Sequence, residues 1–360
     1  MQERMINFAN ANGINNIIII YNYCNADDRQ LIKSITVDNR IKFLNVSEIS
    51  YKCDDDLVNT PEDNDFDVFA EAKRACKNGG IVLFLGAGVS MSAGLPSWND
   101  LLKKSLIDGL NAPEKDYRHI REHAYDSSIV AARYIKTIYY SNPKKDESGG
   151  IVEFNEIIRR NLYKNKKDSR LLDSICKLIK SKKIESIVTY NYDDLIEEKL
   201  ASSDGPAILP ISKSQDSYIQ GTIPVFHVHG MLSSKEGVAL DSDIILTEDE
   251  YHNIYKESYN WSTIVQLFAL QYRTCFFIGL SMSDPNLRRL LDIAWNNSDK
   301  EKLKHYVFLQ NEQNSIFPSP ETQKIRKDIM NKFGINVVWF DSFDDLTTKI
   351  DELANFARQE

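Results

Sequence analysis

What the sequence lacks narrows it first. No run of about 18 apolar residues occurs, so no membrane-spanning helix is expected. The opening residues, MQERMINFANANG, hold no apolar secretory core, which makes the cytoplasm the expected compartment. Cysteines number five (Cys24, Cys53, Cys76, Cys176 and Cys275), far apart and never paired as CxxC. Reduced, mostly buried thiols are therefore expected. Positive charge is short: 44 Lys and Arg against 52 Asp and Glu leave a formal charge of −8. That balance argues against a broad nucleic-acid surface. A small anion stays compatible where local dipoles or a few basic side chains hold it. No internal repeat and no low-complexity tract is found. Two phosphate signatures are missing as well. Met91 stands where G-x-G-x-x-G needs its last glycine, and no Gly-Lys-Ser/Thr occurs, so there is no P-loop.

What is present is a globular composition, 42% apolar and 27% charged over 360 residues. That length holds one large domain, or one plus a small appendage. The chain is organised around residues 79–100, GGIVLFLGAGVSMSAGLPSWND. Ile81 to Leu85 is a short apolar run between glycines, as in a strand buried on both faces. Gly86, Ala87 and Gly88 follow, where glycine allows a sharp turn and close approach of a ligand to the main chain. Residues 89–93 can then open a helix, whose N–H groups suit a phosphate. Strand, glycine turn and helix are the parts of a dinucleotide site.

Residues 1–69 read as a small α/β appendage, with strands at 17–21 and 41–46 and a helix at 27–34. An acidic stretch from Asp54 to Asp67 reads as a solvated linker. Residues 70–360 read as a Rossmann-like α/β domain. A helix over 66–77 stops at Gly79-Gly80, and Ser97 with Asp100 offers an approximate capping box for the next. Segments 97–110, 127–140, 151–163 and 168–181 have helical apolar spacing, which predicts a helical insertion over about 97–183. Strands return at 184–189, 224–228, 275–279, 305–309 and 335–340, with helical patterns between most of them. Thr247 and Glu250 form a capping box, and Asp284 or Pro285 starts a helix. Alternating strands and helices predict a mostly parallel sheet with helices on both faces, and ligands at the carboxyl ends of its strands.

Four strand ends are rich in polar residues: Gly86 to Ser90; Thr189-Tyr190-Asn191-Tyr192-Asp193-Asp194; His227-Val228-His229-Gly230; and Gly279 to Asn286. This ordered set, with Gly94-Leu95-Pro96 after the first, resembles the catalytic core of sirtuins. The Ser281–Asn286 run SMSDPN and the 245–255 segment ILTEDEYHNIY resemble more closely the bacterial sirtuin-like NADase domains of anti-phage defence proteins. The resemblance covers roughly residues 70 to 345. Deacylase sirtuins carry four zinc-binding cysteines, usually as two CxxC pairs, and this chain has no such pair, so no zinc site is expected. The family's Gly-Ile-Pro-Asp-Phe-Arg reads here Gly94-Leu95-Pro96-Ser97-Trp98-Asn99. The loss of its arginine weakens the case for an acyl-lysine peptide.

The resemblance implies an NAD+ glycohydrolase that releases nicotinamide and ADP-ribose and depletes cellular NAD after infection. Asn191, neutral and bifunctional, would orient water or a ribose hydroxyl, and His229 would be the general base. Gly86, Ala87, Gly88 and Ser90 would clamp pyrophosphate. Asp193 would bind the carboxamide or stabilise the developing cation. Pro96, Trp98 and Thr189 belong to the cofactor-binding motifs, with Trp98 either core or lid. Gly279, Ser281 and Asp284 would meet the adenosine side, where a carboxylate suits ribose hydroxyls and repels a 2′-phosphate. His227, two residues before His229, is the rival base. The pair has no third partner for a metal, so no metal site is expected. Other readings are a non-catalytic NAD or ADP-ribose binding module and an NAD-dependent protein deacylase. The partners implied are NAD+, further copies of the chain, and a HerA-type hexameric ATPase or another defence protein acting in trans.

Overall fold

The computed structural model describes residues 17–21, 41–45, 67–124, 127–202, 204–214, 216, 218–235, 244–257, 260–297, 304–311 and 319–359. The helix expected over 27–34, the acidic stretch before Asp67, Cys24 and Cys53 lie outside these. The chain divides into two compact units, Met1–Phe66 and Asp67–Glu360. In the first, strands β1 (Ile17–Tyr21) and β2 (Ile41–Asn45) pair in parallel, Ile17 opposite Ile41.

The second unit begins with helix α1 (Val68–Asn78), whose N-cap Asp67 accepts the Phe69 and Ala70 N–H groups at 3.1 Å. Gly79 and Gly80, with φ of 78° and 70°, end it in the left-handed region that favours glycine. Strand β3 (Ile81–Leu85) follows, then the short α2 (Ala87–Ser92). The insertion holds α3 (Trp98–Leu110), α4 (Glu114–His123), α5 (Ser128–Ser141), α6 (Phe154–Tyr163) and α7 (Arg170–Ile179). Helix α4 escapes a reading of apolar spacing because none of its residues is buried. The remaining elements alternate: β4 (Ile184–Thr189), α8 (Leu195–Ala201), β5 (Ile208–Ile211), β6 (Ile223–His227), α9 (Glu248–Lys256) and α10 (Trp261–Tyr272). Then come β7 (Thr274–Ile278), α11 (Pro285–Asn296), β8 (His305–Gln310), α12 (Ser319–Asn331), β9 (Ile335–Phe340) and α13 (Phe343–Ala357).

Seven strands form one parallel sheet in the order β5-β6-β4-β3-β7-β8-β9. Side chains on a strand alternate between faces, and β3 shows the consequence. Ile81, Leu83 and Leu85 join a core with α3, α6, α7 and α13. Val82 and Phe84 join a second core with α10 and α11 on the other face. Both faces being covered, all five β3 residues are buried, as an unbroken apolar run requires. Phe84 stacks 4.8 Å from Phe277 of β7, and truncating such a fully buried ring to alanine costs about 3–5 kcal/mol.

From central β3 the chain runs first to β4, β5 and β6 on one side, with β6 between β4 and the edge strand β5, then to β7, β8 and β9 on the other. Connections leaving the carboxyl ends of β3, β4 and β7 therefore part at a topological switch point, where a parallel sheet opens a crevice.

Candidate active site

The crevice at that switch point encloses about 610 Å³. One wall is backbone. Gly86 donates its N–H to the Ile278 carbonyl at 3.0 Å, and Gly88 donates to the Gly279 carbonyl at 2.9 Å. The turns after β3 and β7 touch so closely that a Cβ on Gly88 would lie 2.8 Å from the Gly279 Cα. A Cβ on Gly279, at φ of 70°, would lie 2.6 Å from the Val89 nitrogen. Glycine is needed at both positions for contact between two main chains. The same bonds alter the expected pyrophosphate clamp. The Gly86 and Gly88 N–H groups are committed inside the protein. So is the Ser90 hydroxyl, which donates to Asp193 Oδ2 at 2.5 Å. Of the expected clamp, Ala87 and Gly88 line the crevice, while Gly86 and Ser90 do not.

The opposite wall carries side chains. Asn191, just past β4, is buried, and its Nδ2 donates to the Gly86 carbonyl at 3.0 Å. Its own N–H donates to Thr189 Oγ1 at 3.1 Å. With the amide nitrogen held, the Oδ1 atom is the free end of the group. Strand β6 stops at His227 and turns, with Gly230 at φ of 84°. His227 and His229 therefore do not share a strand face. The His227 ring stands 2.8 Å by Nε2 from Glu197 Oε1 on α8, and 3.4 Å by Nδ1 from the Asn191 carbonyl. Burial lowers its pKa, but Glu197, together with the Asn191 carbonyl and Asp193, outweighs this and leaves the imidazole above its ordinary value.

His229 lines the crevice between two aromatic edges, Tyr190 at 4.8 Å and Tyr251 at 5.4 Å. Its Nε2 is buried and meets no hydrogen-bond partner. Burial lowers its pKa against the opposing pull of Asp284, so the ring is held neutral. A neutral imidazole with an unused nitrogen is a base in waiting.

Asp284 also lines the crevice. One oxygen caps α11 by accepting the Leu287 N–H at 2.8 Å, and the other accepts the Tyr251 hydroxyl at 2.9 Å. Burial, then Asp284, pushes the Tyr251 phenol well up, keeping it a donor. Before α11, Gly279 and Met282 have φ of 70° and 60°, and Ser281 and Ser283 pair by their hydroxyls at 2.7 Å. A methionine in the left-handed region is uncommon, and this one is buried.

The structure thus brings Ala87, Gly88, Trp98, Asn191, His229, Gly279, Ser281 and Asp284 to one crevice. Gly86, Ser90, Pro96, Thr189 and Asp193 lie off its lining. Asp193 is buried behind it, accepting Ser90 and, at 3.3 Å, the Leu195 N–H, and burial pushes its carboxyl up to about 6. Lining residues the sequence reading missed include Met91, Ile129, Tyr251, Arg326, Phe340 and Phe343. Tyr251 sits in a segment whose resemblance was visible. The others come from α2, α5, α12, β9 and α13, and only the topology brings them here. Among the described residues no group of three or more His, Cys, Asp or Glu could hold a metal ion. Cys76, Cys176 and Cys275 are buried free thiols, and burial pushes the first two up to about 12, away from thiolate chemistry.

Residues 185–338 match the family model described as "SIR2-like domain". NAD(+) hydrolase ThsA of Enterococcus faecium is 25% identical over 294 residues, 76% of this chain and 55% of that protein. "Defense-associated sirtuin 2" of Bacillus subtilis is 25% identical over 232 residues, 64% of this chain and 21% of its own length. This chain spans about half the length of the ThsA proteins it matches. The solved structure described as "Structural Basis for the Mechanism and Regulation of Sir2 Enzymes" overlaps 81% of this chain and 97% of its own at 10% identity and a TM-score of 0.39. Residues 185–338 are thus similar to SIR2-like domains, and the chain is similar at about a quarter identity to proteins named NAD(+) hydrolase and to one named a defence-associated sirtuin.

Proposed function

We propose that this protein is an NAD+ glycohydrolase. It breaks the bond between the ribose C1′ and the cationic nicotinamide, and water takes the nicotinamide's place. The products are nicotinamide and ADP-ribose. The observation that carries the reading is the pairing of His229, neutral and with a bare Nε2, with Asn191, amide nitrogen fixed, on one crevice wall. The Asn191 oxygen orients the water or a ribose hydroxyl, and His229 takes the proton as the new C–O bond forms. The Gly88–Gly279 wall lets the dinucleotide lie against main chain, and Ser281 and Asp284 meet the adenosine ribose. The names of the curated relatives support NAD+ as substrate and defence as the setting, and the resemblance of the sequence motifs makes that defence anti-phage.

In that reading the enzyme acts in the cytoplasm, where losing NAD ends the infected cell. It works as an oligomer or under a partner, for which a HerA-type ATPase is the candidate drawn from the resemblance. Residues 1–69 serve as a contact appendage. The test follows nicotinamide release from NAD+ by the purified chain, alone and after fractionation by size. Turnover that disappears in His229→Ala and Asn191→Ala, with NAD+ still bound, supports the proposal. Tight binding without turnover in every fraction would overturn it in favour of a binding module. Deacetylation of an acyl-lysine peptide faster than peptide-independent NAD loss would make it a deacylase.

A further inference from the structure

The two histidines at the end of β6 are fixed in different ways. His227 is held at its ring nitrogens, by Glu197 at 2.8 Å and by the Asn191 carbonyl at 3.4 Å. His229 leaves its buried Nε2 without a partner. Its main chain is anchored, the carbonyl accepting the Ile245 N–H at 2.9 Å. The ring can still turn about two side-chain torsions, and no bond to Nε2 stops it. A nitrogen that is to take a proton must stay bare, so contacts that use no nitrogen have to aim it.

Those contacts are two tyrosine rings. Tyr190 meets the imidazole at 4.8 Å between centroids and 84° between planes, and Tyr251 at 5.4 Å and 72°. Near-perpendicular rings at such distances pack favourably. Each tyrosine is pinned at its far end. The Tyr251 hydroxyl donates to Asp284 Oδ2 at 2.9 Å, and Asp284 is itself tied to the Leu287 N–H. The Tyr190 hydroxyl donates to Gln266 Oε1 on α10. Gln266 is buried on the inner face of that helix, whose residues Trp261 to Tyr272 include no charged side chain. A buried amide needs both ends satisfied. Its Nε2 donates to the Ser262 carbonyl one turn back at 2.9 Å, which turns Oε1 toward Tyr190.

We propose that Tyr190 and Tyr251 form a clamp that aims the His229 ring, and that Gln266 is the positioning residue that sets the Tyr190 side of it. The proposal rests on the reading of His229 as the general base. Gln266 is the informative position, because it is not among the residues that line the crevice and so meets no substrate there. The Tyr251 side is harder to probe alone. Its anchor, Asp284, lines the crevice, and releasing it changes the surroundings of the ligand as well as the clamp.

Gln266→Leu leaves the Tyr190 hydroxyl without its acceptor, and Tyr190→Phe leaves the Gln266 oxygen without its donor. Each is expected to lower kcat for nicotinamide release about 10-fold with KM within about two-fold, short of the roughly 10²–10⁴-fold worth of the base itself. Each should also lower the melting temperature, since one partner of a buried hydrogen bond is gone. The double variant removes both partners and sets apolar against apolar. Its melting temperature is expected to return toward that of the parent, while kcat stays as low as in either single variant. The ring itself is followed by the nuclear magnetic resonance signal of the His229 Cε1–H, identified by its loss in His229→Ala. One sharp signal is expected in the parent, and a shifted or broadened one in both Gln266→Leu and the double variant. A double variant that recovers kcat along with its melting temperature overturns the proposal and leaves Gln266 a stabilising residue only. So does a His229 signal that keeps its position and width in every variant. The resonance needs no turnover. A parent that hydrolyses no NAD+ would fail the proposed function alone, and an active parent whose Gln266→Leu variant keeps its kcat would fail this proposal alone.

Discussion

The two walls of the crevice are made in opposite ways. The β3–β7 wall is main chain held by its own hydrogen bonds, Gly88 N–H on Gly279 at its face and Gly86 N–H on Ile278 just behind it. The β4–β6 wall keeps polar atoms in reserve, above all the buried Nε2 of His229. A buried polar atom without a partner costs stability of about 1–3 kcal/mol. Closing one wall tightly and leaving the other unsatisfied is what a site needs if it is to hold a flat ligand against backbone and act on it from the other side. The first wall gives shape, and the second gives chemistry.

The largest expected effect falls on the second wall. His229→Ala should lower nicotinamide release by about 10²–10⁴-fold, the usual worth of a general base, while melting changes little or rises. Removing an unsatisfied buried nitrogen offsets the ring contacts with Tyr190 and Tyr251 that the truncation also loses. Because burial depresses the His229 pKa, the base is neutral throughout the neutral range. The acid limb of kcat/KM should therefore lie below about 6.5, the ordinary imidazole value, and should vanish in the residual activity of the variant. A limb at or above that value would show that another group is the base.

Next in size is the first wall. Gly279→Ala places a methyl against the Val89 nitrogen at a φ that disfavours any side chain. The expected loss is roughly 1–3 kcal/mol of stability, read by denaturant unfolding, together with weaker NAD+ binding. Gly221 has a φ of 86° and nothing within 4 Å of its would-be Cβ, so Gly221→Ala supplies the control for backbone strain alone. Equal losses at both positions would mean that the close approach of the turns is irrelevant.

The difference between the walls also explains what could be read beforehand. The apolar run at Ile81 to Leu85 and the glycines after it announce themselves, because burial on both faces and main-chain contact each allow few residue types. The later strands were legible for the same reason, except β5. Its four residues include Pro210 and sit at the sheet edge, where a missing N–H is tolerated and the strand signal is weakest. The side-chain wall was legible only in part. Asn191 and His229 stand at strand ends, but spacing alone leaves His227 as a rival to His229. What separates the two histidines is that β6 stops at His227 and that Glu197 on α8 faces it, which is three-dimensional information. Arg326, Phe340 and Phe343 were not legible at all, since the turn of the sheet brings them to the crevice from far along the chain.

That separation of the histidines supplies a smaller prediction. The His227 pKa is raised in the fold because Glu197, with smaller help from the Asn191 carbonyl and Asp193, outweighs burial. Such a group contributes its full stability below the unfolded value of about 6.5 and loses it as pH rises through the folded value. Glu197→Gln should therefore destabilise more at pH 5.5 than at pH 9, by about 1–3 kcal/mol at the lower pH, read from unfolding midpoints. The loss should reach turnover only through the Asn191 carbonyl that His227 meets, as a modest fall in kcat with KM nearly unchanged. A fall as deep as that of His229→Ala would promote His227 to the reacting base.

The smallest effect belongs to the carboxylate behind the wall. Asp193 accepts Ser90 at one oxygen and the Leu195 N–H at the other, and burial lifts its pKa from an ordinary 3.8 to about 6. A folded-state value above the unfolded one means that ionisation costs stability. The full cost applies above about 6, and it fades as pH falls toward the unfolded value. An asparagine has the same shape. Its oxygen can keep the Leu195 N–H, and its nitrogen can donate to Ser90 once that hydroxyl turns round to accept. Asp193→Asn should therefore raise the melting temperature by a few degrees at pH 8, and the gain should shrink steadily toward pH 4. Because Asp193 lies off the crevice lining, NAD+ turnover at pH 8 should stay within a few-fold of the parent. If turnover collapses while the melting temperature rises, Asp193 moves in the working protein from behind the wall to its face. The division between a finished wall and an unsatisfied one would then hold only for the empty site.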